Sequence, residues 1–248
     1  FFQDVAGDGK LKTTEIHGNF SYLLPLSNDS THRIRPGISI GLNHRQVNFD
    51  AFYFDNQFNG IEFDPSLPTN ENFVADQQTN LTIGIGGIYE FIPNKFQKLT
   101  AGISIHNLNR PNNGFFTEEI RRARRLTVFV RSELKIDVDW SVLPAIQFNV
   151  QGKYSELSFG SNLKYILVEN NKDYRAIYGG LWLRNKDAAI LKLGLDKKDW
   201  FIGVSYDINF SKLVPASRMR GGFEIATRYI LHQFKPLKNA HRICPDFI

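Results

Sequence analysis

The stretch WFIGVSYDINFSKLVPASRMRGGFEIATRYILHQFKPLKNAHRICPDFI, residues 200–248, decides the fold. Two alternating runs flank a Ser- and Arg-containing connection over 211–221. In the first run Trp200, Ile202, Val204, Tyr206, Ile208 and Phe210 alternate with Phe201, Gly203, Ser205, Asp207 and Asn209. In the second, Phe223, Ile225, Thr227, Tyr229 and Leu231 alternate with Glu224, Ala226, Arg228, Ile230 and His232. A period of two is a strand with unlike faces. One face is apolar and tipped with aromatics; the other mixes small, polar and charged residues. A sandwich would bury the first face, and an outer-membrane barrel would show it to lipid.

The rest of the chain repeats this pattern. Eleven strand-like segments are expected, near 11–25, 34–44, 80–91, 98–108, 125–136, 140–151, 156–168, 174–184, 187–196, 199–210 and 222–232. In the first, Thr13, Glu15, His17, Asn19 and Ser21 oppose Ile16, Gly18, Phe20, Tyr22 and Leu24. In the fifth, Arg125, Thr127, Phe129, Arg131, Glu133 and Lys135 oppose Leu126, Val128, Val130, Leu134 and Ile136. Charges alternating with aliphatics over such a length fit a polar lumen better than a dry core. The connections at 45–79, 109–124 and 211–221 are long and fall at one end of the strands. Those near 92–97, 137–139, 169–173 and 197–198 are short and fall at the other. Connections near 152–155 and 185–186 are short although they lie at the long-loop end, so the short-turn, long-loop asymmetry of outer-membrane barrels is followed in part. This count puts the C-terminal tail on the short-turn, periplasmic side.

Bulk properties agree with one large β-domain. The chain has 248 residues, a net charge of +5, a single Cys, and 21 Phe, 9 Tyr and 3 Trp. No run approaches the roughly 18 apolar residues of a transmembrane helix, while a barrel strand needs only about 9–11 with half of them polar. The mean hydropathy of −0.29 therefore does not discriminate. One cysteine excludes an internal disulfide and a cysteine-based zinc site. The histidines at 17, 32, 44, 106, 232 and 241 have no metal-ligand spacing, no phosphate loop or nucleophile motif occurs, and no dense basic stripe suggests nucleic acid. No cofactor and no enzyme activity is expected. Asp4 and Asp8 read as part of a turn, Gly84, Gly86 and Gly87 as a bulge or bend, and TEEIRRARR as a short helix over 117–125.

Three segments are candidates for contact with partners. Residues 46–76 place Phe49, Phe52, Tyr53, Phe54, Phe58, Phe63 and Phe73 among Asp50, Asp55, Glu62, Asp64, Glu71 and Asp76. This is either an external surface that grips a protein through aromatic anchors, centred on Phe49, Phe52, Phe54, Asp55, Phe58 and Phe63, or a loop that folds into the lumen and plugs it. Arg121, Arg122, Arg124 and Arg125 are either a rim patch for lipid phosphates or an acidic partner, or a solvated start of the next strand. The tail, with Lys235, Lys238, His241 and Arg242, suits a periplasmic partner, a disordered tail or packing in the lumen.

The C-terminal stretch resembles the PorP/SprF membrane proteins of the Bacteroidetes type IX secretion system. The likeness rests on Tyr206, Asp207, Asn209, Ser211, Leu213, Ala216, Ser217, Gly221, Gly222, Phe223, Glu224, Ile225, Tyr229 and Ile230, then on Cys244, Pro245 and Phe247. A weaker likeness lies at Phe54, Asp55, Asn56, Gln57 and Phe58, where the family carries an aromatic-Asp-Gln segment in a long loop. The resemblance implies an all-β, antiparallel transmembrane β-barrel of about fourteen strands in the outer membrane, spanning 1–232 here, with a basic periplasmic tail at 233–248. It also implies a signal peptide and further strands ahead of the region matching 10–24, so that Phe1 is expected to start partway into the barrel. The implied function is non-enzymatic: export and surface anchoring of a large type IX cargo, such as a gliding adhesin, through the cargo's C-terminal domain. The alternatives are a link to a periplasmic, peptidoglycan-binding lipoprotein and motor proteins, a small-solute channel, and a soluble β-domain.

Overall fold

In a computed structural model the chain folds as one antiparallel sheet. The structure describes residues 1–71, 75–115, 119–170, 173–211 and 220–231. Phe73, Leu213, Ala216, Ser217 and the tail at 233–248, with Cys244, Pro245 and Phe247, lie outside these residues. Thirteen strands form the sheet. They are β1 (Phe2–Ala6), β2 (Leu11–Ser21), β3 (Leu24–Pro25), β4 (His32–Gln46), β5 (Gln77–Asn94), β6 (Gln97–His106), β7 (Arg125–Lys135), β8 (Trp140–Gln151), β9 (Tyr154–Glu169), β10 (Tyr174–Arg184), β11 (Ala188–Lys197), β12 (Trp200–Asn209) and β13 (Arg220–Tyr229). Each strand pairs with its neighbours in chain order, except that β3 lies off the path and pairs with β4. The path runs from β1 to β13 without closing.

All eleven expected strands are present. The segment expected at 11–25 breaks after Ser21, and Leu24–Pro25 pairs separately with Ile34 and Arg33. β1 was not expected; it pairs from Phe2↔Glu15 to Ala6↔Leu11. Asp4 therefore sits in a strand, and Asp8 in the turn that follows, where Gly7 has φ +71° and accepts from the Lys10 amide at 3.0 Å. The bulge expected at Gly84, Gly86 and Gly87 is absent. Register between β4 and β5 is unbroken from His32↔Phe91 to Gln46↔Gln77. Gly86 is instead a close approach, since a Cβ there would lie 2.8 Å from Ser104 Cβ and 2.9 Å from the Ile103 carbonyl.

Register assigns the side chains to two faces. Paired residues share a face, so Ile40↔Ile83, Leu191↔Tyr206 and Ile202↔Thr227 mark one face, and Glu15↔Asn43, His106↔Arg125 and Lys192↔Ser205 the other. The first face is apolar and exposed along the sheet, through Ile38, Ile85, Ile103, Ile146, Leu163, Leu181, Leu193 and Ile225. Among the described residues, buried apolar side chains are few, namely Val47, Ile166, Ala176 and Ala188, whereas Asn43, Thr82, Glu90, Thr100, Ser141 and Asp196 are buried polar ones. This inverts the order of a water-soluble domain. It is the order of a barrel-type sheet with bilayer outside and a polar interior.

Both faces carry the expected fittings. On the apolar face near the short-turn end, Trp140 packs on Tyr165 at 4.6 Å, Trp200 on Tyr229 at 4.7 Å and His32 on Phe91 at 4.9 Å between centroids. Aromatic residues at that level form the girdle of a membrane barrel. On the polar face, charges are paired across strands: Lys98 with Glu90 at 2.7 Å, Lys164 with Glu133 at 3.1 Å, Arg228 with Asp196 at 3.2 Å, and Arg184 with Asp207. Pairing offsets part of the cost of a charge held away from bulk water.

Candidate functional site

The long-loop end of the sheet is built from two segments that lock together. β6 ends at His106, and Asn107, in the left-handed region with φ 56°, turns the chain. Asn109 then imitates a further strand residue, donating to the Leu81 carbonyl at 2.6 Å and accepting from the Ile83 amide at 3.2 Å. Beyond Pro111 the segment doubles back as a small hairpin, with the Asn113 amide donating to Ile120 and the Arg122 amide to Pro111. The helix expected over 117–125 is not formed at 119–125. The Ile120 amide is taken by Asn112 Oδ1 at 2.9 Å, the Arg122 amide by Pro111, and Arg125 opens β7. Thr117 lies outside the described residues.

This hairpin lies over the polar face of β4 and β5. Asn80 donates to the Asn112 carbonyl, and Arg45 to the Asn113 carbonyl at 2.6 Å, with its guanidinium 5.2 Å from the Phe115 ring centroid. Arg122 spans the sheet to β2, where its Nη1 lies 2.8 Å from Glu15 Oε1. The same carboxylate accepts from Asn43 Nδ2 at 2.6 Å and sits 3.2 Å from His17 Nε2. Beneath the hairpin is a polar cavity of about 330 Å³ bounded by His17, Ser39, Thr82, His106 and Arg125, with the Thr82 hydroxyl buried and unpartnered. Small residues at Ser39 and Gly84 leave room for this hollow, and Gly37, Gly86 and Ser104 line a second one beside it.

Residues 47–71 form a roof beside the hairpin. Asn48 donates its amide to the Gly9 carbonyl at 2.8 Å and caps the 3-10 turn Phe49–Ala51 through its side chain. A second 3-10 turn, Asp55–Gln57, is fixed by the buried Gln57, whose amide group donates to Leu67 and accepts from the Phe54 amide. Phe49 meets Phe115 edge-on at 6.1 Å, Phe52 lies 6.3 Å from Phe49 and 6.4 Å from Phe54, and Tyr53 meets Phe63 at 4.5 Å. Phe52 also covers Gly9, where any Cβ would collide with the ring. The anchor candidates therefore divide: Phe49 and Phe54 are half-buried within the roof, while Phe52, Asp55, Phe58 and Phe63 reach the surface with Tyr53 and Ile61. Covering of the inner face falls to 107–124.

At the other motif, the register between β12 and β13 shifts between Tyr206↔Phe223 and Ile208↔Arg220. Asp207 thus stands opposite two residues, Gly221 and Gly222, which is a β-bulge supplied by the residue type that tolerates one. Phe223 joins Tyr206 on the apolar face, and Glu224 accepts from Ser205 Oγ at 3.3 Å on the polar one.

Compared with known families, residues 1–229 match the family described as Type IX secretion system membrane protein PorP/SprF. The chain belongs to the PorP/SprF family. It is accordingly a membrane protein of type IX secretion, which sets aside the soluble β-domain. No match was found among curated proteins. The PorP/SprF match ends on the last residue of β13, so it includes the roof, the hairpin and the Gly221–Gly222 bulge, while Cys244, Pro245 and Phe247 fall beyond it.

In this PorP/SprF chain the four clustered arginines do not act together. Arg121 is exposed and paired with Glu119 at 2.9 Å, Arg124 is exposed and donates to the Leu108 carbonyl at 3.2 Å, and Arg125 faces His106 across β6 and β7. Arg122 turns inward to Glu15, and Arg125 also lies on the polar face, where it borders the cavity beneath the hairpin. Sequence reading missed Glu15, Arg45, Asn80 and Asn112, the groups that seat the hairpin. Their partners are up to 107 positions away in sequence, and no local pattern marks them.

Proposed function

We propose that this PorP/SprF chain is a non-enzymatic outer-membrane barrel that supports export of a large type IX cargo and holds it at the cell surface, as for an adhesin. The reading is supported by the arrangement at the long-loop end: a hairpin seated on the polar face, and above it a roof with Tyr53, Phe58 and Ile61 at 79, 58 and 90 % exposure. Long loops of outer-membrane barrels face outward, and exposed aromatic clusters are the usual anchors of protein contacts. A solute channel would instead need the space that the hairpin fills. The cargo's C-terminal domain is the expected partner, with outer-membrane lipid around the sheet.

The test is cargo retention in cells carrying Phe54→Ala and Phe58→Ala together. Release of the cargo into the medium, with the barrel still resistant to heat unfolding in detergent, is the expected result. Unchanged retention overturns the reading. Co-purification of the full-length protein with a peptidoglycan-binding lipoprotein and motor proteins, and with no cargo, would establish the motor link in its place.

A further inference from the structure

The roof carries acidic charge that no ion pair answers among the described residues. Residues 47–76 contain Asp50, Asp55, Glu62, Asp64, Glu71 and Asp76 and no Lys, Arg or His, in a chain whose net charge is +5. Among the described residues none of these six takes part in an ion pair. The same segment holds a groove of about 640 Å³ whose walls include Phe52, Tyr53, Phe54, Phe63 and Leu67, and whose one charged lining residue is Asp50. Its form comes from the two 3-10 turns and from the Phe58↔Phe63 bridge, which folds 58–63 back over them.

We propose that this groove docks a cationic, apolar-flanked protein segment: an Arg or Lys side chain laid against the aromatic faces with its charge at Asp50, and aliphatic neighbours against Phe52 and Phe63. Aromatic rings present negative faces to a cation, and the aliphatic stem of Arg or Lys suits apolar walls while its head stays near carboxylates. An acidic partner would be repelled by the same six groups, and a purely apolar one would leave them unanswered. A bound metal ion fits less well, because among the described residues no three acidic, His or Cys side chains converge as its ligands. This assignment rests on the anchoring reading for the partner's identity, since the docked segment would belong to the retained cargo.

The experiment uses the full chain in nanodiscs of zwitterionic lipid and three labelled, end-blocked nonapeptides: alternating Arg and Leu, Glu and Leu, or Arg and Ser. Anisotropy is expected to show the Arg–Leu probe binding at least about tenfold tighter than the other two, with affinity falling as salt shortens the screening length. Asp50→Asn and Phe52→Ala should each weaken it by about tenfold, a typical size for losing one partner of a cation site, while Asp137→Asn at the opposite end should not. Heat-modified migration on gels confirms that each variant is folded. Equal binding of the Glu–Leu probe, equal binding to empty nanodiscs, or full affinity in Asp50→Asn overturns the proposal. Loss of cargo retention in the Phe54→Ala, Phe58→Ala cells together with no preference among the probes sinks the groove assignment alone. Preference for the Arg–Leu probe with retention intact upholds the groove and sinks the anchoring reading alone.

Discussion

Replacing Arg122 by Met, and Glu15 by Gln, measures how firmly the hairpin is held on the polar face. The pair is 2.8 Å apart, with side chains 28 and 16 % exposed, so solvent screens it little. A hydrogen bond to a charged partner contributes about 1.5–3 kcal/mol. The value for a fully buried pair would be too high here, because Glu15 keeps Asn43 and His17 as partners after Arg122 is lost. About 2 kcal/mol is therefore expected, which raises the fraction of lifted hairpin about 30-fold. Hydrogen exchange reads this directly. The amides of Ile83 and Leu108, whose bonds to Asn109 Oδ1 and the Ile83 carbonyl join the sheet to the segment, should lose about 30-fold of their protection relative to amides of β8, whose ladder is untouched. The doubly substituted protein should exchange no faster than either single one, giving a coupling of about 2 kcal/mol. Effects that add within about 0.5 kcal/mol would refute the argument, because independent sites behave that way.

Leu193 sits in mid-strand on the apolar face at 65 % exposure. Leu193→Arg should destabilise the protein by about 2–4 kcal/mol in urea titrations of folding into bilayers, whereas at a water-facing site it would be nearly neutral. Gly160→Ala should destabilise by about 1–3 kcal/mol and lower the thermal midpoint, since a Cβ there would meet backbone of β10, 2.6 Å from Trp182 Cα. Asp29 accepts from Ser27 Oγ and from the Thr31 amide and hydroxyl, which holds its carboxyl well below the usual carboxylate range. A lowered folded value means its contribution is present above about pH 4 and is lost as pH falls further. Protection factors in the 26–32 turn, which compare exchange with the intrinsic rate at each pH, should therefore fall on acidification in the wild type and depend less on pH in Asp29→Asn.

The positions and faces of eleven of the thirteen strands were legible because each follows from a local period of two. In β7, Arg125 to Lys135 reads as polar–apolar alternation whatever it packs against. β1 escaped notice because Phe2–Ala6 is short and has Asp4 where an aliphatic would have signalled a strand. The glycines of β5 read as a bulge or bend, since sequence does not show that Ser104 and Ile103 crowd Gly86 from β6. The hairpin was the largest miss. TEEIRRARR has good local helix formers, but its amides are claimed by Asn112 and Pro111, and its fourth arginine starts a strand; tertiary demand overrides propensity. The site was half legible. Composition revealed the aromatic, acidic roof, yet which ring faces out depends on Gln57 and Gly9, and nothing in the four clustered arginines says that Arg122 reaches Glu15 while Arg121 and Arg124 stay exposed.

The hairpin is seated largely through its main chain. From the sheet, Asn80, Arg45 and Gln151 all donate to backbone carbonyls, those of Asn112, Asn113 and Ala123. Carbonyl groups are the same whatever residue bears them, so most side chains in the segment are free to change without unseating it. Selection can then rewrite the outward surface of this end while the closure beneath it stays in place. Under the anchoring proposal, a lineage that acquires a new cargo need not redesign the barrel beneath it.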